Sequence, residues 1–405
     1  MKTLLENIRQ IYSPCPTEPH QIDTPVGDTI LMEDGRIKAI GRAADFAGET
    51  AVVRVSAEDG IVTPGFVDSH QHPLFGAHRH TEFEMRNQGR SYQEIAATGG
   101  GIRSSVRAFR SATDDDLKAG LRRRWRECLQ HGTTTFEAKS GYGLNLEQEL
   151  RSLRLITEVA AGENLTVVRT LLAAHDIPDE YRERRDEYIR LIIEEIIPAV
   201  KQEQLAECTD IFCEQGVFSV EESRTILTAS LEQGIPVRLH ADQLSASGGS
   251  QLAAELGALS ADHLEEIDNA GIAALQQAGV IALLLPGSTW FLRMQKYAPA
   301  RKLIEAGCVT ALATNLNPGS GMFVSQPTIM HIASLQLQMT TEEVLWAATM
   351  GGARVLQLQE RKGAVTVGRD ADLLVWGVTE PAEIPYQPNI RPSQVWMGGQ
   401  QQIQR

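Results

Sequence analysis

Thr63-Pro64-Gly65-Phe66-Val67-Asp68-Ser69-His70-Gln71-His72 is the stretch on which the fold turns. It is a short apolar run that ends in two histidines two residues apart. In extended backbone, residues i and i+2 point the same way, so His70 and His72 project together from a strand end. Neutral imidazole ligates zinc and iron, which makes the pair part of a candidate metal site. The other ligands must come from elsewhere in the chain.

Working outward, short β-branched runs alternate with longer amphipathic segments from about residue 60 to 355. Eight such runs are readable, at 60–68, 133–139, 166–173, 210–214, 236–241, 258–264, 280–285 and 309–314. Helix-like stretches lie between them, for example 114–130, 146–161, 183–201 and 220–233. This alternation predicts βαβ units and a parallel sheet, and eight units predict an α/β fold of the (β/α)8 TIM-barrel kind. Reactive side chains follow the strands: His70 and His72, Lys139, His175, Glu214, His240 and Gln243, His263, then Asn315 and Asn317. In such barrels the C-terminal strand ends form one face, where catalytic groups gather.

The flanks have a different texture. Residues 29–40 read as two strands about an Asp34-Gly35 turn, and 363–368 and 371–376 also read as strands. We expect a β-sandwich built from both chain ends, residues 1–59 and 356–405, around a barrel at 60–355. The Gln-rich tail at 400–404 is expected to fray.

Composition narrows the function. The chain has 405 residues and a formal charge of −14, which argues against nucleic acid as a partner. A small anionic substrate remains compatible with a locally positive site. There is no apolar run of membrane-spanning length and no secretory pattern at the start, so no membrane partner and a cytoplasmic location are expected. The five cysteines, Cys15, Cys128, Cys208, Cys213 and Cys308, are scattered and read as reduced thiols.

Several blocks together carry a family resemblance. They are Pro64–His70, Phe75-Gly76-Ala77-His78-Arg79, Lys139-Ser140-Gly141-Tyr142-Gly143, Ala174-His175, His240-Ala241-Asp242-Gln243, Ser260-Ala261-Asp262-His263 and Asn317-Pro318-Gly319. In order and separation they resemble the amidohydrolase superfamily, most closely its imidazolonepropionase family. The resemblance implies a cytoplasmic hydrolase of histidine degradation. It would open the cyclic amide of 4-imidazolone-5-propanoate to N-formimidoyl-L-glutamate with one zinc or iron ion. It implies metal ligands at His70, His72, His240 and position 315. It implies substrate contacts at Arg79, Tyr142, His175, Gln243, Asn317, Gly319 and Ser320, and a homodimer.

The residue chemistry agrees with that reaction. Three neutral histidines leave a coordination position open, as catalytic sites require. Arg79 can bind a carboxylate bidentately; its bland alternative is a surface salt bridge. Tyr142 can close over a flat ring or simply pack its loop. His175 is a ring contact or a core histidine. His263 is a proton carrier or an orienting neighbour. Gln243 and Asn315 complete the catalytic set. Lys139 also admits a carboxylated, two-metal reading, and Asp242 reads as a turn brace. One position departs from the family pattern: where an aspartate is implied, the chain reads Ala313-Thr314-Asn315. An amide can still offer its carbonyl oxygen to a metal, but it has no charge and cannot take a proton. The alternatives are therefore another mononuclear amidohydrolase or deaminase, or a low-activity or non-catalytic ligand-binding relative. Gln71, where the family carries threonine, should point away from the metal.

Overall fold

The computed structural model describes residues 2–90, 94 and 99–405. Eight parallel strands form one sheet: β1 (Phe66–Asp68), β2 (Thr133–Lys139), β3 (Thr166–Ala174), β4 (Cys208–Cys213), β5 (Leu239–Ala241), β6 (Ser260–His263), β7 (Ile281–Leu284) and β8 (Thr310–Leu312). They pair strictly in chain order. The first and last strands meet through a parallel bridge between Gln71 and Leu316, with His72 N–H donating to the Leu316 carbonyl at 2.9 Å. The sheet thus closes into the expected barrel. Helices such as Asp114–Gln130, Leu146–Gly162 and Val220–Glu232 cover it, each begun by a capping side chain: Thr113, Asn145 and Ser219. Every residue of β2 is buried, as a strand packed on both faces requires.

The opening stretch is two strands, not one. Ile61–Pro64 pairs with Leu373–Trp376 in an end sheet, and only Phe66–Asp68 enters the barrel. Gly65 is the hinge. A Cβ there would stand 2.1 Å from Thr134 Oγ1, so only glycine lets the chain pass from one sheet to the other. Trp376 secures the crossing by donating its indole N–H to Thr63 Oγ1 at 2.9 Å.

The two chain ends supply the end sheets. One sheet joins Lys2–Glu6, Thr29–Glu33, Arg36–Gly41 and Val52–Ser56; the other joins Gln10–Ile11, Ile61–Pro64, Leu373–Trp376, Gln394–Met397 and Gln400–Gln404. Leu5, Ile30, Met32, Val62, Val375 and Trp396 share their core. The Asp34-Gly35 turn is a two-residue hairpin with φ of 50° and 82°. Two expectations fail here. Gln400–Gln404 does not fray, because it pairs with Gln394–Met397. Residues 363–368 are not a strand. Gly363 and Gly368 take φ of 83° and 90° and turn the chain at both ends.

Candidate metal centre and substrate cavity

The barrel's C-terminal face brings the scattered histidines together. His70 and His72 lie just past β1, His175 past β3, His240 within β5, His263 at the end of β6 and Asn315 past β8. His72 Nε2 lies 3.3 Å from both His70 Nε2 and His240 Nε2. Among the described residues, His70, His240 and His263 also have ring nitrogens all within 4.8 Å of one another. Four imidazoles therefore share one centre. The family resemblance implies three of them as ligands, and His263 reads as the proton carrier.

Their orientation comes from groups that sequence reasoning missed. Asp262 Oδ2 sits 2.6 Å from His70 Nδ1, and Asp210 Oδ1 sits 3.2 Å from His240 Nδ1. Each carboxylate fixes the Nδ1–H tautomer and turns Nε2 inward. Behind them, Lys139 Nζ stands 2.7 Å from both Glu137 Oε1 and Asp210 Oδ2. Arg238 pairs with Asp262 at 2.8 Å and Glu137 at 3.3 Å, and donates to the Ser69 carbonyl at 2.9 Å. Lys139, Glu137, Asp210 and Asp262 are fully buried, and Arg238 is 1% exposed. Burial alone would raise Asp210, yet His240 and then Lys139 hold it well below the usual carboxylate range. Burial likewise works against Arg238, but Asp262, Glu137 and Asp210 raise it above the ordinary guanidinium value.

This centre fits a metal cation. The two buried cations face three carboxylates, a formal charge of −1 that a positive ion balances. Burial pushes His70 and His72 well below 6.5 and also lowers His240, which favours the neutral imidazoles that have lone pairs to offer. The buried Nδ1 atoms of His72 and His263 have no hydrogen-bond partner. Lys139 is engaged by two carboxylates, which leaves it no role as a carboxylated bridge.

A cavity of about 700 Å³ opens over the centre. His72, His240, His263, Asn315, Gln243, Tyr142, His175, Arg79, Asn317, Gly319 and Ser320 all line it. His70 is fully buried beneath. His175 stacks on His72, with ring centroids 5.0 Å apart and planes at 21°, and its Nδ1 reaches the Gly141 carbonyl at 2.9 Å. Tyr142 lies 5.5 Å from His175, and burial raises its phenol. Asn317 organises the turn beyond β8. Its amide donates to the Asn315 carbonyl at 2.8 Å, and its Oδ1 accepts from Gly319 N and Ser320 N at 2.8 and 2.7 Å. It also donates to Asn315 Oδ1 at 3.0 Å. Asn315 adopts φ of 51°, a left-handed conformation that asparagine and aspartate tolerate best.

Neighbouring residues brace this face. Asp242 accepts from Gly248 N, Gly249 N and Ser250 N at 3.0–3.1 Å, the expected turn brace. Glu214 accepts from Leu244 N at 2.8 Å and so holds the loop that carries Gln243. Gln71 turns away from the imidazoles: its Nε2 donates to Asp68 at 2.6 Å and its Oε1 accepts from Trp125 at 3.3 Å.

Buried neutral histidines make stability depend on pH. Burial, then His240, pushes His175 down to about 3; burial, then Arg391, pushes His131 down to about 4. An unfolded histidine titrates near 6.5, so below about that pH the unfolded chain binds the extra protons. The stability is full above that pH and is lost as pH falls toward these folded values. The melting temperature of metal-free protein should therefore drop steadily below about pH 6.5. A melting temperature unchanged down to about pH 4.5 would contradict these burial effects.

A closed parallel barrel whose C-terminal face gathers imidazoles backed by buried carboxylates defines a metal-dependent hydrolase of the amidohydrolase class. The amidohydrolase family model matches residues 61–401. An imidazolonepropionase of Myxococcus xanthus is 45% identical over 372 residues, covering 91% of this chain and 88% of that protein. One from Clostridium tetani is 42% identical over 365 residues, covering 89% and 87%. The chain belongs to the imidazolonepropionase family of amidohydrolases. Among solved structures, a zinc-bound adenosine deaminase of Xanthomonas campestris aligns with a TM-score of 0.74 at 18% identity, covering 99% of this chain and 93% of that one. A 5-methylcytosine deaminase of Klebsiella pneumoniae aligns with a TM-score of 0.74 at 17% identity, covering 100% and 98%. These two share the fold. No helix of the described residues is long and apolar enough to cross a membrane.

Proposed function

We propose that this chain hydrolyses the cyclic amide of 4-imidazolone-5-propanoate to N-formimidoyl-L-glutamate. The observation that carries this reading is a single cavity holding both the converging imidazoles and the Arg79 guanidinium. His70, His72 and His240 would hold a zinc or iron ion, with the Asn315 carbonyl oxygen as a further donor. When bound there, such an ion supplies Lewis acidity toward a carbonyl and a water.

The chain's own groups do the rest. Asp262 and Asp210 keep the imidazole lone pairs aimed inward. Tyr142 and His175 flank a flat ring, and Gln243 offers its amide to the ring's polar edge. Arg79 takes the propanoate, and the turn at Asn317, Gly319 and Ser320 closes the cavity wall. A Cβ at Gly319 would stand 2.1 Å from Arg79 Nη1, so glycine leaves room for the guanidinium. Asn315 cannot accept a proton, so His263 carries it from the water to the leaving ring nitrogen. His263 Nδ1 lies 3.5 Å from Glu265, which would steady the charged ring.

The test is turnover of 4-imidazolone-5-propanoate, with product identified as the open-chain formimidoyl compound. No turnover by metal-loaded chain or by Asn315→Asp would reject the assignment. Arg79→Ala should raise KM by roughly ten- to a hundredfold, because it removes a charge-assisted contact to the propanoate. An unchanged KM would remove the propanoate role. Asp262→Asn should weaken metal binding about 10–100-fold in a chelator competition, since it loosens the His70 tautomer. Unaltered affinity would mean that Asp262 does not support the ligand.

A further inference from the structure

Arg79 does not face the cavity as a free cation. Its Nε and Nη2 both donate to Glu82, at 3.0 and 2.6 Å. Glu82 is 7% exposed and is held in place by Gly101 N and Ser104 Oγ. The Arg79–Glu82 pair is formally neutral, so the pair alone gives little net attraction for a carboxylate. The helix His80–Asn87 carries another guanidinium one turn on from Glu82, at Arg86. Residues three or four apart share a helix face, which places Glu82 and Arg86 on the same side.

Arg86 also lines the cavity. Its Nη2 donates to the Gly319 carbonyl at 3.0 Å, and its guanidinium lies 5.5 Å over the Phe291 ring. Its Nε is buried and has no hydrogen-bond partner. No ion pair joins it to a carboxylate among the described residues. Burial, and then Arg79, push it below the ordinary guanidinium value, and Glu82 opposes them. A partly buried guanidinium held by one carbonyl and no carboxylate costs free energy that an anion in the cavity can offset.

We infer that Arg86 is a second carboxylate-binding and specificity-determining residue, supplying the net positive charge that the Glu82-paired Arg79 lacks. This rests on the proposed ring-opening reading for the identity of the acid. In that arrangement the propanoate sits between Arg79 Nη1 and the free edge of Arg86. The Gly319 carbonyl holds Arg86 against the same turn that makes room for Arg79.

The experiment compares an acid with its amide. Metal-loaded wild type, Arg86→Gln and Arg86→Lys are assayed on 4-imidazolone-5-propanoate and on the corresponding propanamide. Binding of the unreactive 3-(imidazol-4-yl)propanoate and its amide is measured by calorimetry on the same proteins. Arg86→Gln should raise KM for the acid about tenfold or more, with kcat changed less than about threefold, and weaken the unreactive acid alike. Arg86→Lys should restore part of the loss, because it keeps the charge but not the fork. Amide kinetics and amide binding should shift less than about threefold. Equal losses on acid and amide would overturn the inference, since they would reflect only a disturbed turn. An unchanged acid KM and affinity would overturn it too. If wild type fails to turn over the acid, the ring-opening reading falls; the acid-against-amide binding difference then decides the role of Arg86 on its own.

Discussion

Asn315→Asp should raise kcat for 4-imidazolone-5-propanoate by about 10²–10⁴, the range associated with a positioned general base. Asn315 lines the cavity with the imidazoles, donates its backbone N–H to the His70 carbonyl at 3.1 Å, is 2% exposed, and receives an amide hydrogen from Asn317 at 3.0 Å. An aspartate fits the same left-handed backbone and accepts the same hydrogen bond. It would add a negative charge beside a cation held by the imidazoles and a site for the water's proton. The replacement should also tighten metal binding. Steady-state kinetics with metal content measured on both proteins checks this. Equal kcat values at equal metal loading would mean that proton transfer does not pass through position 315 and that His263 suffices.

Lys139→Met should destabilise the fold by about 3–5 kcal/mol, the usual cost of leaving a buried ion pair without one partner. Lys139 is fully buried and stands 2.7 Å from Glu137 and from Asp210. Without it, three carboxylates, Glu137, Asp210 and Asp262, remain in the barrel interior with only Arg238 to offset them. Asp210, freed of its ammonium partner, would favour protonation of His240, which weakens that imidazole as a ligand. Urea unfolding of metal-free protein measures the first effect, and metal content after dialysis the second. A loss below about 1 kcal/mol would show that water or rearrangement relieves the carboxylates.

The barrel was legible because its strands are short β-branched runs, and the pattern at 133–139 became β2 without change. The histidines were legible because chemistry at strand ends stands out from apolar surroundings. The hinge at Gly65 was not, since a continuous extended run gives no sign that it changes sheets until Thr134 packs against it. The supporting charges were hidden for a different reason. Glu137, Asp210, Arg238 and Asp262 look like single polar residues in or beside separate strands, and their pairing exists only once the barrel closes and brings them into one interior. Asp262 alone sits inside a family block, beside His263, and nothing in the sequence pairs it with the distant His70. Arg86 escaped because an arginine near a helix C-terminus ordinarily needs no explanation beyond the helix dipole.

The most direct test strips the protein of metal and restores zinc or iron in steps while following hydrolysis of 4-imidazolone-5-propanoate. Turnover should be absent in stripped protein, rise in proportion to added metal and saturate at one ion per chain. Turnover that survives stripping, or that saturates only at two ions per chain, would contradict a single metal held by His70, His72 and His240.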